Sequence, residues 1–598
     1  MIQNGPINWL TGGEAGYGIT TMGSMFARMC ARAGLHIHGY AEYPSLIRGG
    51  HNTAFVRVGP SPVLSHEGKV DVMLALNKET IEKHVLEMDK DGAVIYDNEA
   101  IDFDFSAVGK NVRIVAVPLA RITKELGAER VMRNTVALGA SFAVLDFDFD
   151  FIGSVLERTF LRKGAEVVEH NIRMAKAGYD YVKENFANGF PTCGGDVLPF
   201  EKKLSGVANQ PSRMVISGNE AIAIGAIRAG LKFMSAYPMT PVTSIMQVIA
   251  GQGTKYGIVM KQTEDEISAI NMAIGASHMG VRAMTASSGG GFALMTEALG
   301  MSAMTETPLV LVMGTRPGPS TGMPTWTEQS DLRFVMHASH GEFARVLFLP
   351  GDPKECFEMT FKAFNLAEKY QMPCLILTDK YLGESVSTVE PFDHKNLKID
   401  HGESISMDDA LKIPEGTYKR FKLTESGVSP RALPGYPNCI YTTATDEHRE
   451  DGDLDESSEN RIKMMDKRAR KMATLKTESL PESECFALHG DVDADLTIVG
   501  WGSTKGPILE AVSNVNTDGK KVNFLQIKCA LPFPEKGVTE ILKNVKKVLI
   551  VENNSEAQMA GVIREYTGIL IENRLLRYDG RPIPASQIFD KIKEILSG

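Results

Sequence analysis

Ser235-Ala-Tyr-Pro-Met-Thr-Pro241, Thr263-Glu-Asp-Glu266, Thr285-Ala-Ser-Ser-Gly-Gly-Gly291 and Thr315-Arg-Pro-Gly-Pro-Ser-Thr-Gly322 follow one another at short intervals. Each stands at the end of an apolar, strand-like run, as Pro308-Leu-Val-Leu-Val-Met313 does before Thr315-Arg316. Runs of this kind read as parallel strands buried on both faces, and open α/β sheets place their ligand sites where such strands end. The stretch from 235 to 325 is therefore read as an active-site floor in a doubly wound α/β fold.

Working outward, the same rhythm of strand and helix recurs on both sides. Arg213-Met-Val-Ile-Ser-Gly218 opens the central domain, and Cys374-Leu-Ile-Leu-Thr-Asp379 is among its last strands. Upstream, Thr11-Gly-Gly-Glu-Ala-Gly-Tyr-Gly18 follows a short strand, and a helix with Met22, Met25, Phe26, Met29 and Cys30 on one face follows it. Such a turn can cradle phosphate, but its G-x-x-G-x-G spacing misses the nicotinamide fingerprint, and taken alone it reads as a plain, tight βα turn. In the loop Glu42-Tyr-Pro-Ser-Leu-Ile-Arg-Gly-Gly-His-Asn52, residues Arg48, His51 and Asn52 suit an anion or the loop's own backbone. Valine-rich strands near 70–76, 93–96 and 112–117 complete a first domain. Residues 389–480 lose the rhythm, and Arg461–Met472 reads as a basic, solvated connecting helix. Asp495-Leu-Thr-Ile-Val-Gly-Trp-Gly-Ser-Thr504 and the strands after it restore α/β order. The expected division is 1–190, a linker at 191–212, 213–388, an irregular 389–480, and 481–598.

The totals exclude several classes. The chain has 598 residues, 43% hydrophobic and 23% charged, with a formal net charge of −10. That balance suits a soluble globular protein and opposes nucleic-acid binding. The first residues lack a signal peptide's basic and apolar regions, and no run reaches the ~18 apolar residues of a membrane span. A cytoplasmic enzyme is expected. Seven scattered cysteines form no C-x-x-C pair, so this chain is not expected to hold a metal or an iron–sulfur cluster.

The chemistry lies in the central segments. Thr263-x-x-Glu266 has the form of a capping box, with Thr263 as N-cap and Glu266 at N3. The helix beyond it carries Ala269, Ala273 and Ala276 on one face, and Glu266 begins an E-x-x-A-x-x-x-A-x-G pattern that ends at Gly275. That pattern resembles the cofactor-activating helix of thiamine diphosphate enzymes. Tyr237-Pro-Met-Thr-Pro241 is similar to the Tyr-Pro-Ile-Thr-Pro motif of the 2-oxoacid:ferredoxin oxidoreductases, and Arg316-Pro-Gly-Pro-Ser-Thr-Gly-Met-Pro-Thr325 is similar to their arginine loop. Residues 12–18 and 42–52 look like the family's gamma domain. Gly500-Trp-Gly-Ser-Thr-Lys-Gly-Pro-Ile-Leu-Glu510 and Tyr578-Asp-Gly-Arg-Pro582 look like its carboxy-terminal, transketolase-like domain. The resemblance covers nearly the whole chain in the fused gamma–alpha arrangement. Met239 stands for the usual Ile, and Gly289-Gly-Gly291 for Gly-Pro-Gly.

The resemblance implies three doubly wound α/β domains, the central one binding the pyrimidine end of thiamine diphosphate. It implies cofactor contacts from Glu266, Tyr237 and Pro238, with Glu266 bonded to N1′ so that the 4′ nitrogen can take the C2 proton. Glu264 is the competing carboxyl, disfavoured by its spacing to Gly275. Arg316 and Thr240 are expected to bind the carboxylate of a 2-oxo acid. The implied reaction is oxidative decarboxylation by coenzyme A to acyl-CoA and carbon dioxide, with reduction of ferredoxin. A beta subunit is expected to share the thiamine diphosphate and to bring Mg²⁺ and a [4Fe-4S] cluster in an αβ or (αβ)₂ assembly. Activity then requires that partner. 2-Oxoglutarate is the first choice of substrate, with pyruvate and branched-chain 2-oxo acids as alternatives. The competing functions are a transketolase-type thiamine transferase and a non-catalytic scaffold subunit.

Overall fold

A computed structural model describes residues 5–46, 49–208, 210–517 and 519–597. Two compact units account for it. One runs to Ile216 and takes in Ser385–Pro391 and Pro584–Ser586; the other comprises Ser217–Glu384, Phe392–Ile583 and the residues from Gln587. Among the described residues no helix is long and apolar enough to cross a membrane.

The first unit is built on an eight-stranded mixed sheet. Val70–Ala75, buried along its whole length, lies parallel between Ile7–Glu14 and Met88–Tyr96. On the other side Ile7–Glu14 pairs antiparallel with His51–Gly59, setting Glu14 opposite His51 and Gly13 opposite Asn52. The two motifs of this region thus meet at one end of neighbouring strands. Gly12 and Gly13 lie within the strand rather than in the turn after it; a Cβ on Gly12 would sit 2.6 Å from Thr80 Cγ2. The turn is short and leads through Gly18, at φ 74°, into the helix Ile19–Arg32, which buries Met22, Phe26, Met29 and Cys30. The stretch 191–212 is no free tether. Phe200 and Leu204 join the unit's core, and Arg113 donates from Nε and Nη2 to the Pro199 carbonyl at 3.1 and 2.7 Å. Val386–Val389, expected to close the central domain, instead pairs through Val386 and Ser387 with His36–Glu42 in this unit.

The second unit carries the seven-stranded sheet in the order Val259–Gln262, Phe233–Ala236, Ala283–Ser288, Leu309–Thr315, Pro373–Asp379, Val346–Phe348, Cys529–Leu531. All its pairings are parallel except the last. Leu309–Thr315 and Pro373–Asp379 are buried at every position, as strands covered by helices on both faces must be. A five-stranded sheet follows, with Leu496–Trp501 near its centre. One apolar core runs from Ala269 and Leu311 to Val499, Leu525 and Ile550, so the carboxy-terminal segment packs as part of this unit rather than as a separate body.

The basic helix overturns its reading as a solvated connector. It spans Ser458–Glu478 and turns its cations inward, with Lys467, Arg468 and Lys471 all buried. Glu306 lies between Lys467 and Lys471, 2.5 Å from the latter's Nζ, and Arg420 donates to the Glu306 carbonyl at 2.7 Å. Burial alone would raise the Glu306 carboxyl, but Lys467, Lys471 and Arg420 outweigh it and hold it well below the usual range. Burial pushes the Lys471 ammonium down to about 7. Glu306→Gln would leave these cations buried without their anion, a change expected to cost about 3–5 kcal/mol. The check is the denaturant midpoint. Because the carboxyl is depressed, its contribution is whole above its ordinary 4.5 and is lost as pH falls through the folded value.

Candidate active site

Three neighbouring parallel strands end at the site. Phe233–Ala236 runs into Tyr237–Pro241, Ala283–Ser288 into the helix Gly289–Met304, and Leu309–Thr315 into Arg316. The Glu266 helix, Glu266–His278, packs beside them and is tied to the first strand by the Ser235 hydroxyl, which donates to the Ala269 carbonyl at 2.6 Å. Ala269 and Ala273 are fully buried on that side.

Capping differs from the sequence expectation. Asp265 is the N-cap, its carboxylate accepting from the Ser268 amide at 2.8 Å, and Thr263 instead donates to the Asp265 carbonyl. Glu266 is the first residue of the helix, not the third, and its carboxylate plays no capping part. It is 4% exposed, and its Oε1 has no hydrogen-bond partner among the described residues. Glu264 is exposed and accepts from the Ser268 hydroxyl at 2.7 Å. Of the two carboxyls, Glu266 alone is buried at the strand ends.

Gly289-Gly-Gly291 forms the first turn of its helix. Ser288 is the N-cap, but its hydroxyl makes no capping bond and is buried without a partner. Gly291 faces the Glu266 carboxyl so closely that a Cβ there would collide with Glu266 Oε1 and Ser287 Oγ and lie 2.7 Å from the carboxyl carbon. Ser287 in turn reaches the Met239 sulfur at 3.8 Å. Glu266, the triple glycine and the Tyr237–Pro241 loop therefore converge. Tyr237 is exposed at the edge of this group, and Pro238 is half-buried.

Arg316 and Thr240, placed together by the sequence reading, do meet. Arg316 Nη1 donates to the Thr240 carbonyl at 2.8 Å, so the backbone of Thr240 holds the guanidinium. The loop can lie against the arginine strand because Gly314 has no side chain; a Cβ there would be 2.6 Å from Val242 Cγ1. Asn219 fixes the same loop by donating to the Pro241 carbonyl at 2.7 Å. Burial lowers Arg316 below its ordinary value, and Asp331 partly restores it. Asn219, Glu328 and Asp331 escaped the sequence reading. Asn219 was hidden in a helix start, and the two acids in a polar loop with no periodic signal.

The arginine loop is pinned from the carboxy-terminal side. Gln329 Nε2 donates to the Trp501 carbonyl at 2.9 Å, and the Asn553 amide donates to Gln329 Oε1 at 3.0 Å. The Thr327 amide donates to the Gly580 carbonyl at 3.1 Å, and Arg581 lies 3.3 Å over the Trp326 ring. Both carboxy-terminal motifs of the sequence thus serve this loop.

In the first unit, His51 Nε2 lies 3.0 Å from His84 Nε2, and burial, with His84 adding, pushes His51 down to about 4. A neutral His51 brings no charge to an anion, and Arg48 lies outside the described residues.

What the central site can do follows from its donors. A buried carboxyl with an unpaired oxygen, seated against a glycine, is costly unless a ligand completes it. It fits a ring nitrogen that can share a proton, as thiamine diphosphate presents. Arg316, fixed on a carbonyl by one nitrogen, keeps donors for a carboxylate.

Comparison with known proteins agrees with this chemistry. The thiamine-diphosphate-binding profile of pyruvate flavodoxin/ferredoxin oxidoreductase matches residues 224–467. The pyruvate ferredoxin/flavodoxin oxidoreductase profile matches 8–181, and core domain II of pyruvate:ferredoxin oxidoreductase matches 494–587. The chain is 32% identical to the 2-oxoacid:ferredoxin oxidoreductase subunit alpha of Sulfolobus sp, over 99% of this chain and 97% of that one. It is 35% identical to the 2-oxoglutarate synthase subunit KorA of Methanothermobacter thermautotrophicus, over 57% of this chain and 87% of that one. Among solved structures, the 2-oxoglutarate:ferredoxin oxidoreductase of Magnetococcus marinus, with 2-oxoglutarate, coenzyme A and succinyl-CoA bound, is similar with a TM-score of 0.89. It shares 32% identity over 99% of this chain and all of that chain.

Proposed function

The chain belongs to the 2-oxoacid:ferredoxin oxidoreductase family, as its alpha subunit, and on that premise we propose that it turns over 2-oxoglutarate together with a beta subunit. The reaction is CoA-dependent oxidative decarboxylation to acyl-CoA and carbon dioxide, with electrons passed to ferredoxin. The observation that carries this reading is the buried, unpartnered Glu266 Oε1 within the same cluster of strand ends as Arg316 and Thr240. Similarity along nearly the whole chain to the Magnetococcus enzyme supports the choice of 2-oxoglutarate over pyruvate and branched-chain acids. The relatives favour neither the transketolase-type transferase nor the scaffold.

Thiamine diphosphate, when bound, supplies the carbon nucleophile and holds the electrons left by decarboxylation. Glu266 would hold a proton against the pyrimidine nitrogen N1′, with Tyr237 and Pro238 bordering the ring. Arg316 would grip the substrate carboxylate, and the Thr240 hydroxyl would add a hydrogen bond. Their roles are positioning and charge, in a pocket whose buried floor keeps water away.

The sequence shows no diphosphate and Mg²⁺ motif, so we assign diphosphate, metal and [4Fe-4S] cluster to the beta subunit. The outer face of the Glu266 helix suits such a partner. Ile267, Asn271, Gly275 and Met279 follow at steps of four, all exposed, and a Cβ on Gly275 would meet nothing within 4 Å. Leu294 of the next helix is 51% exposed. Small and apolar residues on one face allow close helix packing. We read residues 1–190 as the gamma-type domain, Ser217–Glu384 as the pyrimidine domain and 481–598 as the transketolase-like domain packed within the same unit, in a cytoplasmic αβ or (αβ)₂ assembly.

The test is viologen reduction by the purified complex with CoA and a panel of 2-oxo acids. Arg316→Met should raise the KM for the 2-oxo acid about 10–100-fold, the loss of one charge-assisted contact. The KM for CoA should stay put. A wild-type complex that reduces viologen with no 2-oxo acid would refute the assignment.

A further inference from the structure

An open cavity of about 540 Å³ lies in the second unit, and none of the residues that line it belongs to the candidate active site. That volume falls among those of small-molecule sites. One wall is the helix Ser458–Glu478, which presents Met465, Ala469, Met472 and Lys476 at steps of four, three and four, a single helical face. Lys467 and Lys471 leave the helix on its other side, where Glu306 holds them, so this wall is fixed. A second wall is aromatic, with Phe533 stacked on Tyr566 at 4.8 Å between ring centres.

A third wall carries Arg345, in the segment between the helix Leu332–His337 and the strand Val346–Phe348. Arg345 is only 7% exposed, and it forms no ion pair among the described residues. Of its five N–H donors it uses one, Nη1 donating to the Ala338 carbonyl at 2.5 Å. The Phe343 ring, 4.1 Å from the guanidinium carbon, holds the group from one face. Nε and Nη2 have no partner and are not sealed in protein, so they are open to the cavity that Arg345 lines. The two acids of the lining, Glu342 and Glu535, are exposed and form no ion pair with it. Arg468 is already spent on Glu447 at 2.6 Å, whereas Lys476 is exposed and unpaired. Burial, with no acid opposing it, lowers Arg345 to about 10. A buried guanidinium without an anion is costly, and an oxyanion seated on its free donors removes that cost. We propose that this cavity binds an organic anion, its carboxylate or phosphate head held by Arg345 and its apolar body laid against Met465, Met472 and the Phe533–Tyr566 stack. The planar fork of arginine matches either head. Methionines adapt to an apolar body of irregular shape, and the aromatic pair offers it a flat surface.

The test is calorimetric titration of the purified complex with 2-naphthoate and 2-naphthyl phosphate, which share a body and differ in head. Neutral 2-naphthol is the control. At least one of the anions should bind once per chain and about tenfold or more tighter than 2-naphthol, the worth of a charge-assisted hydrogen bond; which of them binds tells carboxylate from phosphate. Arg345→Met should weaken that binding about tenfold or more. Ala469→Trp, which puts a large side chain into the cavity from an exposed helix position, should abolish it. Arg316→Met should leave it unchanged, which separates this site from that of the 2-oxo acid. Should Arg345→Met fail to assemble, Ala469→Trp decides alone. The proposal is overturned if 2-naphthol binds as well as the anions, if the Arg345 or Ala469 variant keeps wild-type binding, or if Arg316→Met loses it. Binding to the chain stripped of its partners but not to the complex would also overturn it, since a partner's acid would then occupy the place given to the anion.

Discussion

Glu266→Gln is expected to leave a folded, assembled complex that reduces viologen 10²–10⁴-fold more slowly than wild type, the span of a lost general acid–base group. Glutamine has the shape of glutamate, so the seat against Gly291 should accept it. What it lacks is a carboxyl able to share a proton with a ring nitrogen. Stability should move the other way. Glu266 is buried with one oxygen unpartnered, and a neutral amide costs less to bury than a carboxylate. A Tm equal to or above wild type, with the rate gone, is the pattern of a residue kept for function at the expense of fold. A variant with unchanged CoA-dependent turnover would sink the role given to Glu266.

The sequence carried the site's plan further than its local bonding. The four motifs mark strand ends because parallel strands buried on both faces are written as apolar runs, and the structure places Ala236, Ser288 and Thr315 at those ends. Capping was not readable. Thr263-x-x-Glu266 and Asp265-x-x-Ser268 both satisfy an N-cap rule, and the chain uses the second. The difference matters chemically. With Thr263 as cap, the Glu266 carboxylate would be spent on the backbone; with Asp265 as cap, it is free. The basic helix misled for a different reason. Lys467 and Lys471 sit four apart, the usual mark of a solvated face, and nothing local announces Glu306, 161 residues away. Partners brought together by the fold leave no periodic trace. The same limit hid Asp331, whose neighbours Arg316 and Gly289 lie on other elements.

Gly291→Ala should uncouple the site from the fold. In an ordinary helix the exchange is favourable by up to about 1 kcal/mol, because alanine has less backbone entropy to lose. Here the added Cβ would collide with Glu266 Oε1 and Ser287 Oγ. The carboxyl is the end of a flexible side chain, so it should give way rather than the backbone. The expected result is an unfolding free energy within about 1 kcal/mol of wild type, weaker binding of thiamine diphosphate and a turnover reduced about 10²-fold or more. Gly290→Ala supplies the control for helix propensity, since a Cβ there meets nothing within 4 Å in this chain. The decisive comparison is the double variant. If Gly291 matters only as the seat of the Glu266 carboxyl, adding Gly291→Ala to Glu266→Gln should cost little further activity, and the two effects will be far from additive. Full additivity would mean that the glycine serves something else in the pocket, most directly close approach of the cofactor to the first turn of its own helix.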